Sequence, residues 1–518
     1  MEVNQRNSDY SVSSALRVRD FKMAAGSSYK SGQQNQEIEA IGEVSIDPSA
    51  KIVHTSYNTS NNGCWPAFRS LEPEPPTANL SLSSMPEGYS LRWVGGSAFY
   101  ANDVDITASF SESYGYWLDG GPDCNFSTSG NWGRKTLFKT GTVNMALSGK
   151  RHTVVTNDVD DVAVKSLIFG LQQDGYAGSA PFIVRGNPIA VTSADIPASV
   201  NGGNKPSPYP AVFTASSFPQ TMETRIDSAQ SVMCVAAASS AERRGILYFK
   251  GGIKAPQARF VPMGTIVLGG DVEIKDLNPA DAIGTGSNTR QSSPYGRRLW
   301  TEIMLKPGCE VTVSEQTSVN NADVMLSIMT NATMTVNGSW IWNETNTEHV
   351  IKGELVLNGT VGGDAIQGFF GKGVLRVKTT DGTAGGRLRI GEGLTLAPTD
   401  PLWGSMPLEI TDTATVSNEL ACWTYSADSL AVLRPGHTLT FAGDGDTVLA
   451  APVVGRDVVL RKEGSGALIM AAESDGLSNS TVEITDGVFG SASEQSFGAL
   501  RMFRGTKLRV DFTSGSST

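Results

Sequence analysis

Residues Leu460 to Gly490 constrain this chain more than any other stretch. They read L-R-K-E-G-S-G-A-L-I-M, then a polar gap, then T-V-E-I-T-D-G-V-F-G. Apolar and polar residues alternate with the period of a strand, and Gly, Ser, Asn and Asp interrupt them where a turn is needed. Weaker versions lie upstream, at Glu354 to Val361, Gly371 to Val377 and Gly386 to Leu396. Short strands with glycine corners, recurring about every 20 to 25 residues, are how stacked coils are written in sequence. The expected fold is all-β, a right-handed β-helix or β-solenoid over much of the chain, with a smaller N-terminal β region.

The chain has 518 residues, enough for two or three packed regions or one long repeat array. Only 18% are charged and the net charge is −11, which argues against nucleic acid as a partner. No apolar run is long enough to span a bilayer as a helix. Met1 to Asp20 shows no hydrophobic core of a secretory leader, so the expectation is an intracellular protein or a processed form. The polar stretch Asp511 to Thr518, after a strand expected at Lys507 to Phe512, reads as cut from something longer or as a natural polar end. The five cysteines, Cys64, Cys124, Cys234, Cys309 and Cys422, are widely spaced without a C-x-x-C. Zinc is not indicated. Buried single thiols are the preferred reading, with Cys64 to Cys124 the candidate pair if a bridge forms.

Three regions follow from composition. Residues 1–78 are polar and end in the Pro-rich L-E-P-E-P-P-T; this segment is expected to be a cap or a strand-donating arm, with its strand cluster at Ile38 to Val53. Residues 79–205 form an aromatic β region that opens the solenoid, closing on a Gly/Pro loop near Val200 to Pro210. Residues 206–518 carry the repeats. Ser228 to Arg244, with V-M-C-V-A-A-A-S-S-A-E-R-R, reads either as the one helix or as a buried strand and a turn. Asn187, Asn337 and Asn358 sit where turns need a residue that tolerates positive φ.

Two places resemble one family. Trp117 to Trp132 reads W-L-D-G-G-P-D-C-N-F-S-T-S-G-N-W. Lys150 to Thr192 follows with V-V-T-N-D-V-D-D-V-A-V-K-S-L-I-F and F-I-V-R-G-N-P-I-A-V-T. This is similar to the opening of bacterial proteins with autotransporter-associated β-strand repeats. Leu460 to Gly490 resembles the repeat of the same family. The resemblance covers about 100 residues with any precision. It implies large, exported, extracellular or cell-surface proteins with β-helical passengers.

No catalytic, cofactor-binding or metal-binding residue is assigned, and no cofactor is expected. The four histidines, His54, His152, His349 and His437, have no second histidine at ligand spacing. The nucleophile-elbow, zincin and phosphate-loop patterns are absent, and Ile283 to Ser287 (I-G-T-G-S) is read as a turn. Two acidic clusters stand out: Asp158, Asp160 and Asp161, and Asp444 with Asp446. Each is either a turn device or a cation or catalytic site. Three aromatic groups stand out as well: Tyr114, Tyr116 and Trp117; Trp340 with Trp342; and Trp423 with Tyr425. At i, i+2 spacing each is either a sugar-stacking platform or internal packing. The functional expectation is a non-enzymatic, extracellular structural or adhesive bacterial surface protein. It would self-associate through strand edges into a filament or lattice, with carbohydrate or cell-surface contact as a further partner class. The alternatives are a β-helical polysaccharide lyase or hydrolase and a tail-spike-like receptor binder.

Overall fold

The computed structural model describes residues 16–18, 20–31, 38–40, 44–54, 64–71, 80–82, 88–102, 114–117, 121–132, 138–149, 152–170, 180–197, 208–214, 216, 218–237, 245–279, 291–292, 298–299, 301–319, 324–343, 347–383, 385–432 and 434–510. Strands dominate them, and there is no α-helix among them. The strands pair in parallel from coil to coil, giving a β-solenoid of about 16 turns in all and a smaller N-terminal sheet region. Contacts divide the chain into two compact units. One is Met1–Asp271 with Ala280–Glu302; the other is Val272–Pro279 with Ile303–Thr518.

The first unit opens with three short coils. Leu16–Val18, Phe21–Met23 and Ser28–Ser31 form the first; Ile38–Ala40, Val44–Ile46 and Lys51–His54 form the second. Each strand lies parallel on its counterpart, with Leu16 opposite Ile38, Phe21 opposite Val44 and Tyr29 opposite Ile52. Cys64–Ser70 and Leu80–Leu82 continue two of these faces. Phe21, Ile38, Ile52, Phe68 and Leu80 fill the interior. The hairpin Tyr89–Val94 and Ser97–Asn102 then pairs antiparallel with Cys64–Ser70. These pairings bear on two expectations. Strands on both sides of the Pro-rich Leu71 to Thr77 run, of which 72–77 lie outside the described residues, share one sheet. Ile38–Ala40 also already has a strand on either side, so it is not a loose arm awaiting a neighbour.

The tryptophan-rich segment builds the next coil of this unit. Tyr114–Trp117 pairs with Asn144–Leu147, Phe126 N donates to Thr156 O at 2.9 Å, and Ala163 N donates to Phe138 O at 2.7 Å. Trp117, Phe126, Trp132 and Phe138 are buried inside, in contacts of 4.5 to 6.0 Å between ring centroids. Each indole N–H finds a carbonyl, His152 O for Trp117 and Phe126 O for Trp132. Beyond it run internal ladders such as Met145, Leu167, Val212 and Val235.

The Ser228 to Arg244 ambiguity resolves as a strand, Val232–Ala237, while 238–244 lie outside the described residues. The period of two was hidden because both faces are covered. Met233 and Val235 are buried on one face, and on the other Cys234 and Ala236 join an apolar cluster with Tyr116, Ala146, Ile168 and Phe213.

In the second unit one face carries the ladder Val311, Met334, Leu355, Leu375, Leu396, Val416 and Phe441, rungs 20 to 25 residues apart. A second face stacks His349, Phe369, Ile390, Ile410 and Val432. A third stacks Trp423, Thr447, Leu468, Phe489 and Leu508. Corners require glycine where the backbone turns left-handed against the coil below. Gly363 has φ +116°, and a Cβ there would fall inside the radius of the Trp342 carbonyl oxygen. Asn187, Asn337 and Asn358 are not among the positive-φ residues, which include Asp161, Asn331, Glu392 and Asp457. Asn358 instead works through its side chain, donating from Nδ2 to Asn337 Oδ1 one coil away at 3.0 Å.

Gly363→Ala is expected to lower stability by at least about 3 kcal/mol, because strain and a backbone clash add. Gly436→Ala, at φ +82° with open space around it, should cost only about 1 kcal/mol. Urea unfolding of the two variants side by side checks the contrast.

Candidate functional site

The acidic turns are bonded internally. Asp158 accepts from the Ser127 backbone N–H at 2.9 Å and from the Ser127 hydroxyl, tying the tryptophan-rich segment to the next coil. Burial raises its pKa, but the bonds from Ser127 outweigh that and leave the carboxyl below the usual range. Asp160 Oδ1 accepts from Asn187 Nδ2 at 3.0 Å, and Asp161 occupies the left-handed position of the turn at φ 58°. In the second cluster Asp444 Oδ1 accepts from Ser465 Oγ and Asp446 Oδ1 from Ala467 N, both at 2.8 Å and both across coils. Among the described residues, no group of three His, Cys, Asp or Glu is arranged to hold a metal. Ile283 to Ser287 lies outside the described residues.

Lys462 sits beside the second cluster. It occupies an inward rung between Phe441 and Ile484 and is buried. Its ammonium turns back to the corner and donates to the carbonyls of Glu463 and Gly464, the latter at 2.7 Å. Burial pulls its pKa down, against the raising effect of the Asp486, Asp444, Asp446 and Glu463 carboxylates. The lysine thus acts as a built-in cation for a turn rich in carbonyls and carboxylates.

The aromatic pairs face inward. Trp340 and Trp342 are buried and stacked, 5.2 Å between centroids at 18°. Trp423 and Tyr425 are buried with Trp403. Tyr116 and Trp117 are buried as well, and the Tyr114 side chain lies outside the described residues. None of the buried rings can stack on a sugar, so these pairs are internal packing and not a carbohydrate platform. The physical reason is volume. Trp340 and Trp342 share one face of their strand and fill the coil interior together with His349 and Phe369.

His349 lies against this cluster, fully buried, with its ring 4.7 Å from that of Trp342 and 4.9 Å from that of Phe369. Its Nδ1 accepts from Leu326 N at 3.2 Å, which places the proton on Nε2. Among the described residues, Nε2 has no hydrogen-bond partner. Gln367, in the same cluster, accepts from Trp340 Nε1 at 2.8 Å and donates to Gly362 O at 2.9 Å. Burial pushes the imidazole pKa down to about 3. Cys234 and Cys309 are buried and Cys422 is exposed, and the Cys64 side chain, on which the expected bridge to Cys124 turns, lies outside the described residues. Burial raises Cys234 to about 12, and its sulfur meets Met263 Sδ at 3.6 Å.

The strand edges expected from the sequence have a candidate at residues 499–510, which no motif singled out. Ala499–Met502 pairs with Thr481–Ile484, and Lys507–Val510 pairs with Val488–Ser491. Among the described residues, no strand lies on the far side of either. Leu500 and Met502 continue the buried rungs Val482 and Ile484, yet each is 42% exposed; Phe503 and Leu508 reach 54% and 48%. Alternation alone could show that these residues belong to strands. It could not show that their inner face stays uncovered.

No helix among the described residues is long and apolar enough to cross a membrane. Comparison of the chain with protein families, with curated proteins and with solved structures finds no match.

The His349 site predicts an acid limb of stability. The folded pKa lies below the unfolded value near 6.5, so this contribution is complete above about pH 6.5 and is lost as the pH falls toward 3. The slope is up to about 1.4 kcal/mol per pH unit. His349→Phe should be less stable by about 1 to 3 kcal/mol at neutral pH, since Leu326 N loses its acceptor, but its acid slope should be shallower. Denaturant midpoints across that pH range measure both effects.

Proposed function

We propose that this chain is a non-enzymatic structural or adhesive protein whose work is mechanical contact with neighbouring chains. The observation that carries the reading is the coil edge at Ala499–Val510. It carries four large apolar side chains that are 42 to 54% exposed and two strands that, among the described residues, have a neighbour on one side only. Open strand edges and uncovered apolar rungs are the features that recruit another chain.

The carboxylates support the same reading. Asp158, Asp160, Asp444 and Asp446 hold turns and adjacent coils together, and Glu483 binds Arg461 at 2.9 Å and Arg501 at 3.1 Å across successive coils. An inter-coil role occupies the groups that a polysaccharide lyase or hydrolase would have to spare. In this reading the chain works outside the cell or at a bacterial surface, as the resemblance to autotransporter-associated β-strand repeat proteins implies. Copies or companions then assemble through coil edges into a filament or lattice.

Light scattering and electron microscopy of the purified full chain test this. The wild type is expected to form larger species as concentration rises. A variant with Leu500, Met502, Phe503 and Leu508 changed to Ser should stay monomeric while keeping its far-ultraviolet circular dichroism. A wild type that stays monomeric and turns over a polysaccharide would end the proposal.

A further inference from the structure

One outward sheet face of the second unit is apolar, and it is not a coil end. Its strands, Asp446–Leu449, Ala467–Met470 and Val488–Ser491, each pair with a strand of the coil before and a strand of the coil after. Thr447, Leu468 and Phe489 are buried on the inner side of these strands. Alternation therefore turns Val448, Ala467, Ile469 and Val488 outward, where each is half-buried, with Gly490 beside them. Ala450, Ala471 and Ala492 carry the ladder one residue further, each N–H bonded to a carbonyl of the coil before. The neighbouring face of the same coils is different, since it sets Arg461 and Glu483 outward.

The charges of the apolar face stand at its two ends. One outward column runs Asp446, Ala467, Val488 and Lys507. Asp446 and Lys507 are both exposed, three coil steps or about 14 Å apart.

We propose, resting on the contact function above, that this face packs against the same face of a second copy about a twofold axis parallel to the strands. Such an axis reverses the order of the coils. Asp446 of each copy then meets Lys507 of the other, Ala467 meets Val488, and Ile469 meets Gly490, which has no side chain to oppose it. Opposite charges at the two ends of one apolar column thus make the face complementary to itself, and the charges fix the direction of pairing. A bilayer surface is met by large or aromatic side chains flanked by Lys and Arg, whereas this face is Val, Ile, Ala and Gly. It also presents no ring on which a sugar could stack. The five coils from Cys422 to Val510 give a face of about 400 Å² per copy, at about 4.8 Å per coil and about 17 Å per strand. That is about half of what a stable interface buries on each partner. Free chains therefore pair only at high concentration, and the contact becomes firm where coil edges already hold copies together.

The test uses full-length chains at high concentration and a short bis-maleimide cross-linker, in a Cys422→Ser background. Asp446→Cys in one chain and Lys507→Cys in the other are expected to cross-link when mixed, because the mixed pair keeps one of its two ion pairs. Either variant alone should stay at background, since its two new cysteines lie about 14 Å apart along the coil axis. Adding Ile469→Lys to both chains should abolish the cross-link while leaving the melting temperature unchanged.

No cross-link in the mixture, equal cross-linking by Asp446→Cys alone, or indifference to Ile469→Lys would overturn the proposal. So would partition of the wild type into uncharged lipid vesicles that Ile469→Lys abolishes, because the face would then belong to a bilayer. Larger species formed through the coil edge, with no cross-link in the mixture, would leave the contact function standing and remove only this face. A cross-linked mixture from a wild type that never forms larger species would keep the face and remove the coil edge.

Discussion

Parallel backbone pairing between successive coils is the constraint on which everything else in this molecule rests. Each strand takes its register from the strand of the previous coil, so a residue's neighbours are the residues about one coil earlier and later. The consequence is a ladder. Val311, Met334, Leu355, Leu375 and Leu396 are far apart in sequence yet consecutive in space. Once a ladder is apolar, its rungs bury one another, and each coil is stabilised mainly by the two beside it.

The same register turns polar groups into ties between coils. Arg461, Glu483 and Arg501 stand one above another on one face, and Asp444 with Ser465 and Asp446 with Ala467 do so at a corner. The Glu39 and Arg69 pair does this in a buried position, on adjoining strands of the first unit. Burial of such a pair brings a desolvation cost that must be met by close geometry. At Leu500 and Met502 the ladder has no further rung among the described residues, and both side chains are 42% exposed.

Much of the fold could be read from periodicity. The glycine corners near Gly371, Gly464 and Gly487 and the alternation in L-R-K-E-G-S-G-A-L-I-M predicted short stacked strands, and those strands are present. The reading failed where both sides of a strand are covered, as at Val232–Ala237, because burial on two faces erases the period of two. It also failed for the N-terminal segment. Ile38 to Val53 looked loose beside a Pro-rich stretch, but its strands find partners at Leu16–Val18 and Cys64–Ser70, a pairing that local sequence does not encode.

The chain by itself determined the secondary structure, the corner positions and the approximate coil length, because these depend on side-chain alternation and on backbone angles that glycine allows. Only the tertiary structure decided what each residue faces. It turned Trp340, Trp342, Trp423 and Tyr425 inward, gave Asp158 and Asp446 to neighbouring coils, and left Leu500 and Phe503 in solvent. The physical reason is that alternation defines two sides of a strand but not which side is interior, nor whether another coil lies beyond it. Those facts belong to residues about twenty positions away, brought together only by winding.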